Sequence, residues 1–124
     1  MQSFYQFITE AAVFPVKEDR FNKQLRTRRG FKVIMRLDAA KLWARYAQDN
    51  PTFTRLTPAK LDHIRELFDS GVVFDAYPLV TFFDGRVSIG DGRHRVFVAA
   101  EHHMSIEVGI DSERGATFPV ELRS

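Results

Sequence analysis

The residues of this chain best suited to chemistry sit together in Gly90-Asp91-Gly92-Arg93-His94-Arg95. A β-prone stretch precedes them and an alanine-containing helical pattern follows, so they fall at a strand-to-helix turn. The start of a helix presents unpaired backbone N–H groups and the positive end of the helix dipole. Glycines at Gly90 and Gly92 let a ligand approach the backbone closely. Arg93 and Arg95 add fixed charge, and the planar guanidinium matches phosphate with paired hydrogen bonds. His94 is the group that titrates near neutrality, and its arginine neighbours disfavour its charged form. The segment is an anion cradle by this reading. The competing structural reading makes Asp91 an ordinary helix cap, the glycines turn residues and the arginines solvated charges.

A second feature is basic. Between residues 17 and 36 stand Lys17, Arg20, Lys23, Arg26, Arg28, Arg29, Lys32 and Arg36 against Glu18 and Asp19, in a chain whose net charge is only +2. Local positive charge of this kind suits a polyanion. Arg20, Lys23, Arg26, Arg28, Arg29 and Lys32 are the candidates for contacting DNA or RNA phosphates, with Phe21 or Phe31 stacking on bases. Other chemistry is thinly represented. Glu101-His102-His103 suggests a metal, but adjacent helical residues point about 100° apart and rarely share an ion. Asp75, Asp84 and Asp111 are the carboxylates that phosphoryl chemistry with Mg²⁺ would draw on. The chain has no cysteine, which excludes disulfides, thiolate nucleophiles and Cys-based zinc sites, and points to a cytoplasmic protein.

The elements that must position these residues read as one domain of 124 residues, 44% hydrophobic and 27% charged, with twelve Phe to build a core. No apolar run reaches the length of a membrane span, and the N-terminus lacks the pattern of a signal peptide. Residues 1–30 read as an N-terminal arm, basic toward its end, and 31–124 as the folded domain. Phe31 to Leu37 is a predicted strand. Asp38 caps a helix to about Ala47, with Ala39, Leu42, Trp43 and Tyr46 at helical spacing. Thr57-Pro58 starts a second helix, striped by Leu61, Ile64, Leu67 and Phe68 and stopped at Gly71. Pro78–Phe83 and Arg86–Ile89 form a hairpin around Asp84-Gly85. A helix from about Arg93 to His102 turns Val96, Phe97, Ala99 and Ala100 inward. Ser105–Ile110 is a further strand, and Phe118–Leu122 a short edge strand. The mixture predicts an α+β fold with a mixed sheet and helices.

With those elements in place, Pro78-Leu79-Val80-Thr81, Asp84-Gly85 and the run Ile89-Gly90-Asp91-Gly92-Arg93-His94-Arg95-Val96-Phe97-Val98-Ala99-Ala100 resemble the N-terminal domain of ParB and its relatives. These form the ParB/sulfiredoxin superfamily. Its members show a Pro-apolar-x-Val strand, a hairpin, a Gly-x-x-Arg or Asp-Gly-x-His-Arg turn and an alanine-rich helix. The likeness covers about Phe31 to Ile110 and is most specific from Pro78 to Ala100. It implies a small sulfiredoxin-like α+β domain whose turn binds nucleotide phosphates, with ATP or CTP and Mg²⁺ as the cofactors. Phosphate contacts carry over to Gly92, Arg93, His94 and Arg95, beside Gly90, with Asp91 shaping the turn or approaching a metal.

Relatives use the turn in CTP-gated clamps on DNA, in ATP-dependent phosphoryl transfer, and in nuclease or ATPase reactions. Two departures narrow the choice. Sulfiredoxin chemistry needs a cysteine in the turn. Partition proteins continue into a helix-turn-helix domain and a dimerisation tail, whereas this chain runs only fourteen residues past Ile110. The leading expectation is an NTP-phosphate-binding domain, in its enzymatic form a Mg²⁺-dependent hydrolase with His94 and Asp91 as the catalytic residues. The alternatives are a non-catalytic module that binds nucleic acid or inhibits a partner protein, and a ParB-like nuclease.

Overall fold

The structure is a computed structural model that describes residues 13–16, 32–52, 54–74, 77–113 and 115–124. In chain order its elements are β1 (Lys32–Asp38), α1 (Ala39–Asp49), α2 (Pro58–Asp69), β2 (Leu79–Phe83), β3 (Arg86–Asp91), α3 (Arg93–Glu101), β4 (Ser105–Ser112) and a single 3₁₀ turn, Val120–Leu122. The four strands make one sheet in the order β1-β4-β2-β3. β4 is antiparallel to β1 and parallel to β2, and β2 and β3 form an antiparallel hairpin. The fold is α+β with a mixed sheet, as the sequence predicts. Among the described residues no helix is long and apolar enough to cross a membrane.

Strand alternation builds the core. Val80 and Phe82 of β2, Val87 and Ile89 of β3, and Ile106, Val108 and Ile110 of β4 are all buried, as the two-residue period requires of one sheet face. Leu42 and Tyr46 of α1 and Val96, Val98 and Ala99 of α3 cover them. Each such side chain contributes roughly 1.5–3 kcal/mol when fully buried. The β2–β3 turn has φ of 55° at Asp84 and 71° at Gly85, the two left-handed residues of a type I′ hairpin.

β3 lies at the sheet edge, where unpaired backbone groups need partners. The end of α1 supplies them. Asp49 Oδ2 accepts the Val87 N–H at 2.8 Å, and Asn50 Nδ2 donates to Val87 O at 2.7 Å. Arg45 donates through Nε to Asp49 at 2.7 Å and through Nη2 to Gly85 O at 2.9 Å. Burial alone would raise the Asp49 carboxyl, but the Val87 N–H and the Arg45 guanidinium hold it below its ordinary value. α1 is thereby clamped along the strand that leads to the candidate site.

Several elements differ from the sequence expectation. β3 continues past Ile89 to Asp91, because Gly90 is the extra residue of a bulge: Val80 pairs with Ile89 and Leu79 with Asp91. β4 runs on to Ser112 and α1 to Asp49. The inward set of α3 is Arg95, Val96, Val98 and Ala99, with Phe97 half-buried against Trp43 at 5.2 Å. Phe118–Leu122 is not an edge strand. Phe118 packs edge-on against Phe82, Val120–Leu122 is the 3₁₀ turn, and only Arg123 bridges to Leu37.

Residues 13–16, at the middle of the N-terminal stretch, pack onto the domain. Phe14 is 1% exposed and stacks on Phe68 at 5.4 Å and Phe74 at 5.1 Å. Its N–H donates to Ser105 O at 2.7 Å, while Pro15 O accepts the Phe74 N–H at 2.8 Å.

Candidate anion-binding turn

The junction between β3 and α3 turns on one residue. Gly92 is the N-cap of α3 with φ 90° and ψ 17°, a left-handed conformation that side chains disfavour. A β-carbon there would stand 2.7 Å from Arg95 Nη2, 2.8 Å from Pro78 Cβ and 3.0 Å from Pro78 Cα. Both conformation and space demand glycine. Gly92 O accepts the first helical bond from Val96 N–H at 3.0 Å, and no side chain caps the helix. Asp91 is therefore not the cap that the structural reading assigned to it. It ends β3, is exposed, and places Oδ2 3.8 Å from Arg95 Nη2. Gly90 is a strand residue, not part of the turn, and a β-carbon there would meet only Leu79, at 3.6 Å.

The three residues after Gly92 take distinct positions. Arg95 is buried, 8% exposed, with its guanidinium folded under the turn beside Gly92 and Asp91. Arg93 is half-buried, and its Nε is sequestered from solvent without an acceptor among the described residues, a costly state for a charged donor. His94 Nε2 accepts the Thr57 backbone N–H at 3.0 Å. Burial first, then the positive charges of Arg93 and Lys60, push the His94 ring below its ordinary value. An accepting Nε2 puts the proton of the neutral imidazole on Nδ1. The ring's donor is then Nδ1–H, and its accepting nitrogen is already engaged. While that bond holds, Nε2 is not free to accept a proton.

Thr57 is the N-cap of α2, with Pro58 in the first turn and no side-chain cap. Three contacts run in step along α2 and α3. Thr57 meets His94, Arg65 meets Glu101 through Nε at 3.1 Å and Nη2 at 2.8 Å, and Phe68 meets His102 with ring centroids 4.5 Å apart. The helices thus run in the same direction and bring both N-termini to one end of the molecule. Like dipole ends side by side repel, and an anion placed there relieves the repulsion. Sequence reading found each helix start separately but not their convergence, nor the proximity of Lys60 and Pro78, because all of these are tertiary.

Other candidates lie elsewhere. Arg20, Lys23, Arg26, Arg28, Arg29 and Asp75 fall outside the described residues. Lys32 pairs with Asp111 at the start of β1, and Arg36 is exposed on the same strand. Asp84 sits in the hairpin turn at the opposite end of β3 from Asp91, and Asp111 is buried within β4. His103, at φ 53°, follows the end of α3. Among the described residues no group of three or more His, Asp or Glu could hold a metal ion. Asp91 is the carboxylate at the turn and fits Mg²⁺ only in the manner usual for nucleotide sites, with phosphate oxygens supplying further ligands. A groove of roughly 570 Å³, lined by Lys41, Ala44, Arg45, Gln48, Glu121 and Leu122, lies along α1. Arg45 ties it to the hairpin end of β3, away from the turn.

No protein-family model, curated protein or solved structure matches the chain. The functional reading rests on the chemistry of the turn.

Proposed function

We propose that this chain is a nucleotide-binding domain of the ParB/sulfiredoxin type, seating the phosphates of an NTP at the Gly92–Arg95 start of α3. The observation that carries the reading is the Gly92 cap. A glycine fixed at φ 90° with no room for a β-carbon leaves the first-turn amides of α3 without a capping side chain, and Arg93 is the first residue of that turn. Phosphate oxygens would accept from those amides and from the Arg93 guanidinium. His94 would add its Nδ1–H, and Lys60 would add charge from the neighbouring helix. Arg95 supports the cradle from beneath. Mg²⁺ arriving with the nucleotide would neutralise part of the phosphate charge, with Asp91 as its protein ligand. Metal-dependent hydrolysis is the enzymatic extension of the same site.

Thermal denaturation with ATP, CTP, GTP or UTP, each with and without Mg²⁺, tests the reading. Saturation at 100 times the dissociation constant stabilises by about 2.7 kcal/mol, a rise on the order of 10 °C in Tm for a domain of this size. The rise should disappear in Arg93→Ala, whose side chain is the more exposed of the two arginines. Arg95→Ala would empty a buried position and confuse binding with stability. No stabilisation by any nucleotide would overturn the proposal. Stabilisation by DNA or RNA that steepens as salt falls and survives Arg93→Ala would favour the regulator alternative.

A further inference from the structure

The contact between Thr57 and His94 does more than mark where two helices meet. α2 carries no fully buried residue; Leu61, Ile64, Leu67 and Phe68 pack part-buried against the core, and its polar and aromatic anchors lie toward its end: the paired Arg65–Glu101 bonds, the stacking of Phe68 on Phe14 and its tilted contact with His102. Among the described residues, the Thr57 N–H to His94 Nε2 bond is the one hydrogen bond that ties residues 54–60 to the rest of the molecule. That bond exists only while Nε2 carries a lone pair. A protonated ring presents N–H to N–H. The charged groups acting on the ring are Arg93 of α3 and Lys60 of α2, both cationic, and both helix dipoles direct their positive ends to the same place. The carboxylate at the end of β3, Asp91, faces Arg95 at 3.8 Å.

We infer that His94 is a proton-sensitive latch: unprotonated, it holds the start of α2 against the start of α3, and protonated, it releases it. The ring's displacement below the ordinary 6.5 agrees in sign. The unfolded or unlatched state binds the proton more readily, so the latched state is fully favoured above pH 6.5 and is lost as pH falls through the lower value of the folded protein. The latch stands on the helix–helix contact alone. Its test contains no nucleotide, so its failure would leave the phosphate reading intact.

The measurement is amide and imidazole NMR of the full chain between pH 8 and pH 5. At pH 8 the His94 ring should show the Nδ1–H tautomer, with the Thr57 and Leu61 amides protected. Leu61 reports on the same turn because its N–H bonds to Thr57 O at 2.9 Å. Below pH 6.5 their protection, corrected for intrinsic exchange, should fall by up to about tenfold per pH unit, the limit for one linked proton. Phe68 and the other amides near the Arg65 anchor should hold. In His94→Gln the amide oxygen accepts the same bond and cannot titrate, so protection should persist across the range. An unprotected Thr57 amide at pH 8, or a pH-dependent loss that is unchanged in His94→Gln, would overturn the latch.

Discussion

Twice in this molecule a strand ending in aspartate hands over to a helix, and the two junctions start their helices in opposite ways. At the end of β1, Asp38 is itself the N-cap of α1: its backbone stays extended and Oδ1 accepts the Lys41 N–H at 2.9 Å. At the end of β3 one residue is added. Gly92 takes the cap position in the left-handed region, and Asp91, now one residue outside, reaches toward Arg95 instead of the helix amides. The first junction is closed by its own side chain and has nothing further to bind. The second keeps its amides uncapped, has the charges of Arg93 and Lys60 acting on its His94, and has a second helix start alongside. A single inserted glycine separates a structural cap from a candidate anion site.

The sharpest way to break the comparison is to give Gly92 a side chain. Gly92→Ala combines the left-handed penalty of about 1–2 kcal/mol with overpacking against Pro78 and Arg95 of about 1–3 kcal/mol. We expect a loss of about 2–4 kcal/mol by urea denaturation. Gly90→Ala, two residues earlier in open strand geometry, should stay within about 0.5 kcal/mol. Gly92→Asn separates the two causes, because Asn tolerates the left-handed region but brings the same β-carbon. Recovery of full stability in Gly92→Asn would show that φ alone makes this position glycine.

The contrast also marks how far local pattern reaches. Ala39, Leu42 and Tyr46 at helical spacing, Thr57-Pro58 at a helix start and Asp84-Gly85 at a hairpin each encode their element within a few residues, and each element stands where the pattern places it. The two glycines around Asp91 read alike in sequence. Only the pairing of Leu79 with Asp91 shows that Gly90 belongs to the strand and Gly92 to the turn. Nor does an Arg-His-Arg run say which arginine goes inside: Arg95 is buried because it shares a helix face with Val98 and Ala99, and Arg93 is displaced from that face. Phe14 lies in the short apolar run 11–16, which does not name its partners, and its burial comes from Phe68 and Phe74, both more than fifty residues away. His94 acquires its partner from a helix start 37 residues earlier. Elements were legible; convergence was not.

A smaller effect tests the closed junction. Asp38→Ala removes the bond to Lys41 N–H and leaves the α1 start as open as that of α3, but with Lys41 as the one cation of its first turn in place of Arg93, His94 and Arg95. Loss of such a cap costs about 1 kcal/mol, which thermal or urea denaturation should register as a modest fall in stability. Addition of the nucleotide that stabilises the parent chain should protect Asp38→Ala by the same increment. A larger increment would mean that the exposed α1 amides have become a second anion site, so that an uncapped helix start suffices and the arginines of the other junction are dispensable.

The smallest expected stability change belongs to Asp91→Ala. Its carboxylate caps nothing, is 68% exposed, and lies 3.8 Å from Arg95 Nη2, a surface pairing worth about 0–1 kcal/mol. Its effect on binding should be easier to see. Without a metal, removing a negative charge several ångströms from the cradle should tighten phosphate binding by roughly two- to threefold, the size of a unit-charge repulsion through water at that range. With Mg²⁺ the sign reverses if Asp91 holds the ion beside the phosphates, and the variant then binds nucleotide more weakly than the parent chain. Titration of Asp91→Ala with nucleotide in the presence and absence of Mg²⁺ reads both. Tighter binding in both conditions would make Asp91 a bystander of an anion site, and opposite signs in the two would make it the metal ligand of a nucleotide site.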